Sequence, residues 1–230
     1  MNSSYDASGA VPVIAIDGPS GSGKGAVASV LAQSLEFNLL DSGALYRVLG
    51  IALLKASINL EKTNEISKLA LEMNVKFGLS GADSVALNGE DVSLAIRSDI
   101  GSDMASKVGA IAEARAALLQ RQLDFRQPPG LIADGRDMGT VVFPDAVLKI
   151  FLTASVEERA QRRYKQLIGK GIGAILPDLL RELKERDRRD SQREVSPLAP
   201  AADAIVLDTT ELSLEQVIVQ VSQLAHRALK

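Results

Sequence analysis

The chain has 230 residues, 46% of them hydrophobic and 24% charged, with a formal net charge of −3, one histidine and no cysteine. This length suits one domain, or one domain with insertions, and the charge argues against wholesale binding of a nucleic acid. Disulfide scaffolds, thiolate metal sites and cysteine nucleophiles are excluded, and the lone His226, a helix-end surface residue by its position, argues against a Ser-His-Asp triad or a histidine-clustered metal site.

The N-terminal MNSSYDASGA is polar and lacks the basic and apolar regions of a secretory leader. No apolar run free of charge approaches the ~18 residues of a membrane span. The expected setting is the cytoplasm, with no membrane partner and with residues 1–11 as a disordered tail. The run Val13-Ile14-Ala15-Ile16, ended by Asp17, predicts a buried strand. A glycine-rich loop follows, then a helix over 27–35 with Val27, Val30, Leu31 and Leu35 on one face. Strands are predicted at 37–40, 131–134, 147–152 and 204–207, with helices at 44–56 and 213–229.

This alternation predicts an α/β fold: a five-stranded parallel sheet wrapped by helices, with ligands bound beyond the carboxyl ends of its strands. Two regions depart from the pattern. Between 63 and 96 the sequence predicts a helix (65–73) and strand-like pieces at 75–77, 85–87 and 91–93. Turns at Gly81-Ala82-Asp83 and Asn88-Gly89 join them, making a small inserted antiparallel piece. Between 157 and 194 lies a helical lid region. Eleven of the 26 Lys and Arg residues fall between Arg159 and Arg193, interleaved with acids, and Lys170-Gly171-Ile172-Gly173 reads as a joint between two helices. A solvated, salt-bridged surface is the alternative for such mixed charge. The core is then 12–62, 97–156 and 195–230.

The chemistry concentrates in Gly18-Pro19-Ser20-Gly21-Ser22-Gly23-Lys24-Gly25-Ala26. A loop of the form G-x-x-x-x-G-K between a strand and a helix wraps phosphate oxygens with backbone N–H groups. The helix N-terminus adds positive potential, and the lysine brings a full charge. The glycine spacing is not that of a dinucleotide fingerprint, and no N-K-x-D guanine motif occurs. The residue after Lys24 is Gly25, where many such loops carry a metal-binding hydroxyl. A glycine there resembles the loop of nucleoside monophosphate kinases, a likeness that implies a metal held mostly by phosphates and water.

Several segments extend this branch. The loop 18–25, Leu40-Asp41-Ser42-Gly43-Ala44-Leu45-Tyr46-Arg47, Leu131-Ile132-Ala133-Asp134-Gly135-Arg136-Asp137-Met138-Gly139-Thr140 and Glu185-Arg186-Asp187-Arg188-Arg189-Asp190-Ser191 together resemble bacterial cytidylate kinases. The resemblance runs from about residue 13 to the C-terminus and departs at Ala26, where the family commonly has Thr.

It implies ATP as donor, Mg²⁺ held mainly by phosphates and water, CMP and dCMP as acceptors, a monomer, and 63–96 as the monophosphate-binding insert. Lys24 and the loop amides would bind ATP phosphates. Ser42 belongs to the substrate-binding set, and Arg47 and Arg136 would grip the acceptor phosphate through their planar forks. Asp137, Ser106 and Arg115 match the cytosine-contacting positions, although sequence alone reads Ser106 and Arg115 as ordinary helix surface.

Asp134 ends a buried strand. It could hold Mg²⁺ through water or orient its neighbours, and an N-cap or ion-pair role is equally open. Arg186, Asp190 and Arg193 are spaced to share a helical face, as an ion-pair ladder with Glu182 would be. The resemblance instead gives Asp190 the ribose hydroxyls, with Arg186 beside it and Arg193 on the phosphates. Arg159, Arg162 and Arg163 begin the lid, and Arg163 with Arg193 would join Lys24 and Arg136 in catalysis. Two other classes stay open on residues alone: another monophosphate kinase, for adenylate or uridylate, and a nucleotide switch that binds partner proteins.

Overall fold

The apolar run before the glycine loop forms β1 (Val13–Asp17), all five residues buried. It is the central strand of a five-stranded parallel sheet in the order β2-β6-β1-β7-β8, where β2 is Asn38–Asp41, β6 Leu131–Gly135, β7 Leu148–Thr153 and β8 Ile205–Asp208. The register sets Asp17 beside Gly135 on one side and Phe151 on the other. The loops leaving β1, β6 and β7 therefore emerge together at the carboxyl edge. All five predicted strands are present. The computed structural model describes residues 10–78, 84–169 and 171–230. The turn at 81–83, most of the N-terminal tail and Lys170 of the inter-helix joint lie outside them.

The chain divides into two compact units. The first joins the stretch ending at Asp41 to Leu123–Lys230. In it α1 (Lys24–Leu35) and α9 (Leu214–Ala228) cover the sheet. Val27, Leu31, Val217, Val221 and Ala225 pack with Ile14, Ile150 and Leu152. Helix α9 opens with a capping box, Ser213 Oγ accepting from the Gln216 amide while the Gln216 side chain accepts from the Ser213 amide. Helices α7 (Val156–Gly169) and α8 (Leu176–Ser191) pack on each other. His226 lies exposed near the end of α9.

The second unit, Ser42–Gln122, has its own core. It holds α2 (Ser42–Lys55), α3 (Thr63–Glu72), a three-stranded antiparallel sheet of β3 (Val75–Phe77), β4 (Val85–Leu87) and β5 (Glu90–Asp91), then α4 (Ser93–Arg97), α5 (Asp99–Val108) and α6 (Ala112–Leu123). The third strand is shorter than the predicted 91–93. Asp91 Oδ1 accepts from both the amide (2.8 Å) and the hydroxyl (2.5 Å) of Ser93, turning the backbone out of the ladder and into α4.

Helix α2 packs on α5 so closely that a β-carbon at Gly50 would stand 2.6 Å from Met104 Cβ. In an open helix, Gly to Ala would gain about 1 kcal/mol. Here overpacking costs about 1–3 kcal/mol, and the two effects oppose. We expect Gly50→Ala to lower the urea midpoint; a raised midpoint would mean that α2 and α5 are not in this contact.

Candidate active site

The carboxyl edge of the parallel sheet collects charge that burial alone would forbid. At Gly18 the backbone has φ +146°, and a β-carbon there would sit 1.9 Å from the Leu152 carbonyl oxygen, so only glycine lets the loop turn over β7. The loop ends at Gly23 (φ 92°), the N-cap of α1, where no side chain caps the helix. The first-turn amides thus have no side-chain cap. Ser22 Oγ is buried and makes no hydrogen bond among the described residues. An orphaned hydroxyl, uncapped amides and a lysine fit a polyphosphate.

The helix begins at Lys24, three residues before the apolar periodicity shows it. Lys24 is 5% exposed and donates to the Pro19 carbonyl at 2.9 Å. Burial pushes its pKa down from 10.5 to about 7, and Arg136 and Arg186 add to this while Asp134 and Asp17 oppose it. Burial likewise pushes Asp17 up from 3.8 to about 7, against the amides of Gly139 and Met138, with Asp137 raising it further and Lys24 lowering it. The carboxylate of Asp134 lies against the first turn of α1, since a β-carbon at Gly25 would be 3.4 Å from its Oδ2.

Asp190 organises the arginines. It is 1% exposed and accepts from Arg136 Nε (3.2 Å) and from Arg193 (2.5 Å). Arg193 reaches it from beyond the helix, not along a shared face. Helix α8 stops at Ser191, and the Asp190 carbonyl accepts from Leu198 N–H as the chain turns away. Arg159, 4% exposed, donates to the carbonyls of Ala154 and Ser20 and to both Asp187 oxygens. Arg162 donates to Glu158 and to Thr209. Arg163 donates to Gln166 at 3.1 Å.

Four sequence-predicted residues belong to the second unit. Ser42 and Arg47 are on α2, Ser106 on α5 and Arg115 on α6. Ser106 and Arg115 are not the surface residues that periodicity alone implies: they are 2% and 8% exposed. The Arg115 guanidinium lies 5.7 Å from the Tyr46 ring centroid and donates to the Gly109 carbonyl. Asp17 has no role in the sequence-based expectations, although an acid closing an apolar strand one residue before the glycine loop is a signal. Arg159 is expected only as the start of the lid; its bonds to Ser20 and Asp187, 139 and 28 residues away, have no local signal.

The sequence profile of the cytidylate kinase family matches residues 14–227. The cytidylate kinase of Edwardsiella ictaluri (strain 93-146) is 55% identical over 217 residues, 94% of this chain and 96% of its own length. That of Stutzerimonas stutzeri (strain A1501) is 55% identical over 223 residues, covering 95% and 97% of the two chains. That of Pectobacterium carotovorum subsp. carotovorum (strain PC1) is 52% identical over 219 residues, again 95% and 97%.

The electrostatics of Lys24 make a prediction. A bound polyphosphate favours the charged amine, so binding above pH 7 must take up a proton. Calorimetry of nucleoside triphosphate binding at pH 8.5, in buffers of different ionisation enthalpy, should show uptake near one proton. Affinity should fall about tenfold per unit over the pH range above 7. Lys24→Met should abolish the uptake; an unmutated protein that takes up no proton would refute the depressed lysine.

Proposed function

The chain belongs to the cytidylate kinase family, and on that premise we propose how its residues carry out ATP + CMP → ADP + CDP, with dCMP as a second acceptor. Family membership carries the assignment, and the buried Lys24 at the head of α1 supports the donor site. An oxygen of the CMP phosphate attacks the γ-phosphorus of ATP. The bond from that phosphorus to the β,γ-bridging oxygen breaks, and ADP leaves. Such a transfer is served by alignment and charge neutralisation more than by covalent help.

Lys24 and the amides of 18–26 bind the ATP phosphates. Arg47 and Arg136 hold the acceptor phosphate as bidentate donors. Asp137 accepts from the cytosine amino group, while Ser106 and Arg115 serve its ring acceptors. Ser42 belongs to the same substrate set. Asp190 accepts from the ribose hydroxyls beside Arg186, and Arg163 and Arg193 meet the charge that develops on the transferred group. The pairing of Asp190 with Arg136 and Arg193 supports a site whose arginines are held before substrate arrives. Mg²⁺, held chiefly by nucleotide phosphates and water with Asp134 alongside, supplies further charge neutralisation. We place the 63–96 segment as the monophosphate-binding insert, 157–194 as the lid, and the enzyme in the cytoplasm as a monomer. Among the described residues no helix is long and apolar enough to cross a membrane.

Initial rates of ADP formation with Mg-ATP and CMP, dCMP, UMP, AMP or GMP test the assignment. CMP and dCMP should be strongly preferred. Preference for another monophosphate would discard the cytosine roles, and ADP release indifferent to acceptor would discard the kinase reading. In the same assay Arg193→Ala should lower kcat by about 10²-fold or more, as loss of a transition-state charge contact does; an unchanged kcat would remove Arg193 from catalysis.

A further inference from the structure

The segment that follows β6 carries Arg136 and Asp137 and then enters a single π-helical turn, Met138–Val142. The first amides of such a turn have no partner within it. An aspartate at the N-cap is the residue type that would meet them, and Asp137 stands there. Its side chain makes no capping bond.

The cap comes from another strand. Asp17 Oδ1 accepts the Met138 amide and Asp17 Oδ2 the Gly139 amide, both at 2.8 Å, across 121 and 122 residues of sequence. Both bonds are buried, and Asp17 is 5% exposed. A carboxylate is the side chain suited to this task. It offers two acceptor oxygens and no donor when ionised, the form that prevails above the pH of about 7 to which burial raises its pKa, whereas an amide would turn an NH₂ toward one of the two N–H groups. The clamp fixes the peptide planes on the carboxyl side of Asp137, and hence where the Asp137 side chain starts. Because Asp17 caps the turn, Asp137 is not needed there.

We propose that Asp17 is a positioning residue for acceptor selection: its two-oxygen clamp on the Met138 and Gly139 amides holds Asp137 in register to read the cytosine amino group. The same side chain ties this segment to the donor loop, which begins at the next residue, Gly18. The proposal rests on the reading of Asp137 given above. It predicts that a change at residue 17, which touches no nucleotide, alters base discrimination through residue 137.

The test compares kcat/KM for CMP and UMP in the full-length enzyme, Asp17→Asn, Asp137→Asn and the double variant. Folding is verified by circular dichroism, and exchange of the Met138 and Gly139 amides is followed by NMR. Asp17→Asn should speed exchange at those amides and lower the CMP-over-UMP ratio by about tenfold or more, the scale expected when a binding group shifts by about 1 Å. The KM for ATP should rise as well, because Asp17 favours the charged form of Lys24, so the CMP-over-UMP ratio is measured at saturating ATP, where that effect cancels. In the Asp137→Asn background, Asp17→Asn should change the ratio no further, the non-additivity of two groups acting as one. If Asp137→Asn lowers the ratio and Asp17→Asn does not, the positioning role is overturned and the base-reading role stands. A ratio change by Asp17→Asn that persists undiminished in the Asp137→Asn background overturns the route through Asp137. If Asp137→Asn leaves the ratio unchanged, the base-reading role falls and this proposal falls with it. Should Asp17→Asn not fold, Asp17→Ser, smaller and with one acceptor, is judged by the same criteria.

Discussion

The burial of Lys24 is the constraint around which the first unit is arranged. An ammonium with 5% exposure, at the head of α1 and under a loop of glycines, has lost most of its hydration. It is tolerable only because Asp17 and Asp134 lie on its electrostatic horizon and the Pro19 carbonyl takes one of its protons. Arg136 and Arg186 work against it. Two cations and two carboxylates thus act on Lys24 in opposite directions, and any anion brought to the loop would favour its charged form.

The arginines face the same problem and reach a common solution. Asp190 holds Arg136 and Arg193, and Asp187 holds Arg159. Each carboxylate is more buried than a solvated ion pair would be, so deleting it would strand a guanidinium rather than merely weaken the fold. Asp187 and Asp190 lie in the last turns of α8, and Arg159 also reaches the Ser20 carbonyl of the glycine loop. The helix that carries the acidic partners is thereby coupled to the loop that would carry the donor phosphates.

Much of this was legible in the sequence because the chemistry is local. The glycine loop, its flanking strand and helix, and the five strands each declare themselves within ten residues, and the buried strands do so by unbroken apolar runs such as Leu131-Ile132-Ala133. What was not legible depends on distance. Nothing near Ser106 or Arg115 marks them as buried, since the packing that covers them comes from residues far along the chain. Arg193 falls at helical spacing from Asp190, yet α8 ends first, and the pairing survives by a turn that periodicity cannot see. The third strand of the small sheet is cut short by a side-chain turn at Asp91, a local competitor that wins over β-propensity.

Parallel topology explains why a single aspartate can join the glycine loop to the segment that follows β6. Strands β1 and β6 are neighbours in register, Asp17 beside Gly135, so the chain leaves both at the same edge and about one strand spacing of ~4.8 Å apart. A side chain as short as aspartate's reaches across that gap to the amides that follow. A partner on β2 or β8, each two strands from β1, would need a longer arm and would lose the two-point grip in rotamer freedom. The position of Asp17 in the first strand is thus as much a consequence of sheet order as the position of Lys24 is a consequence of the loop.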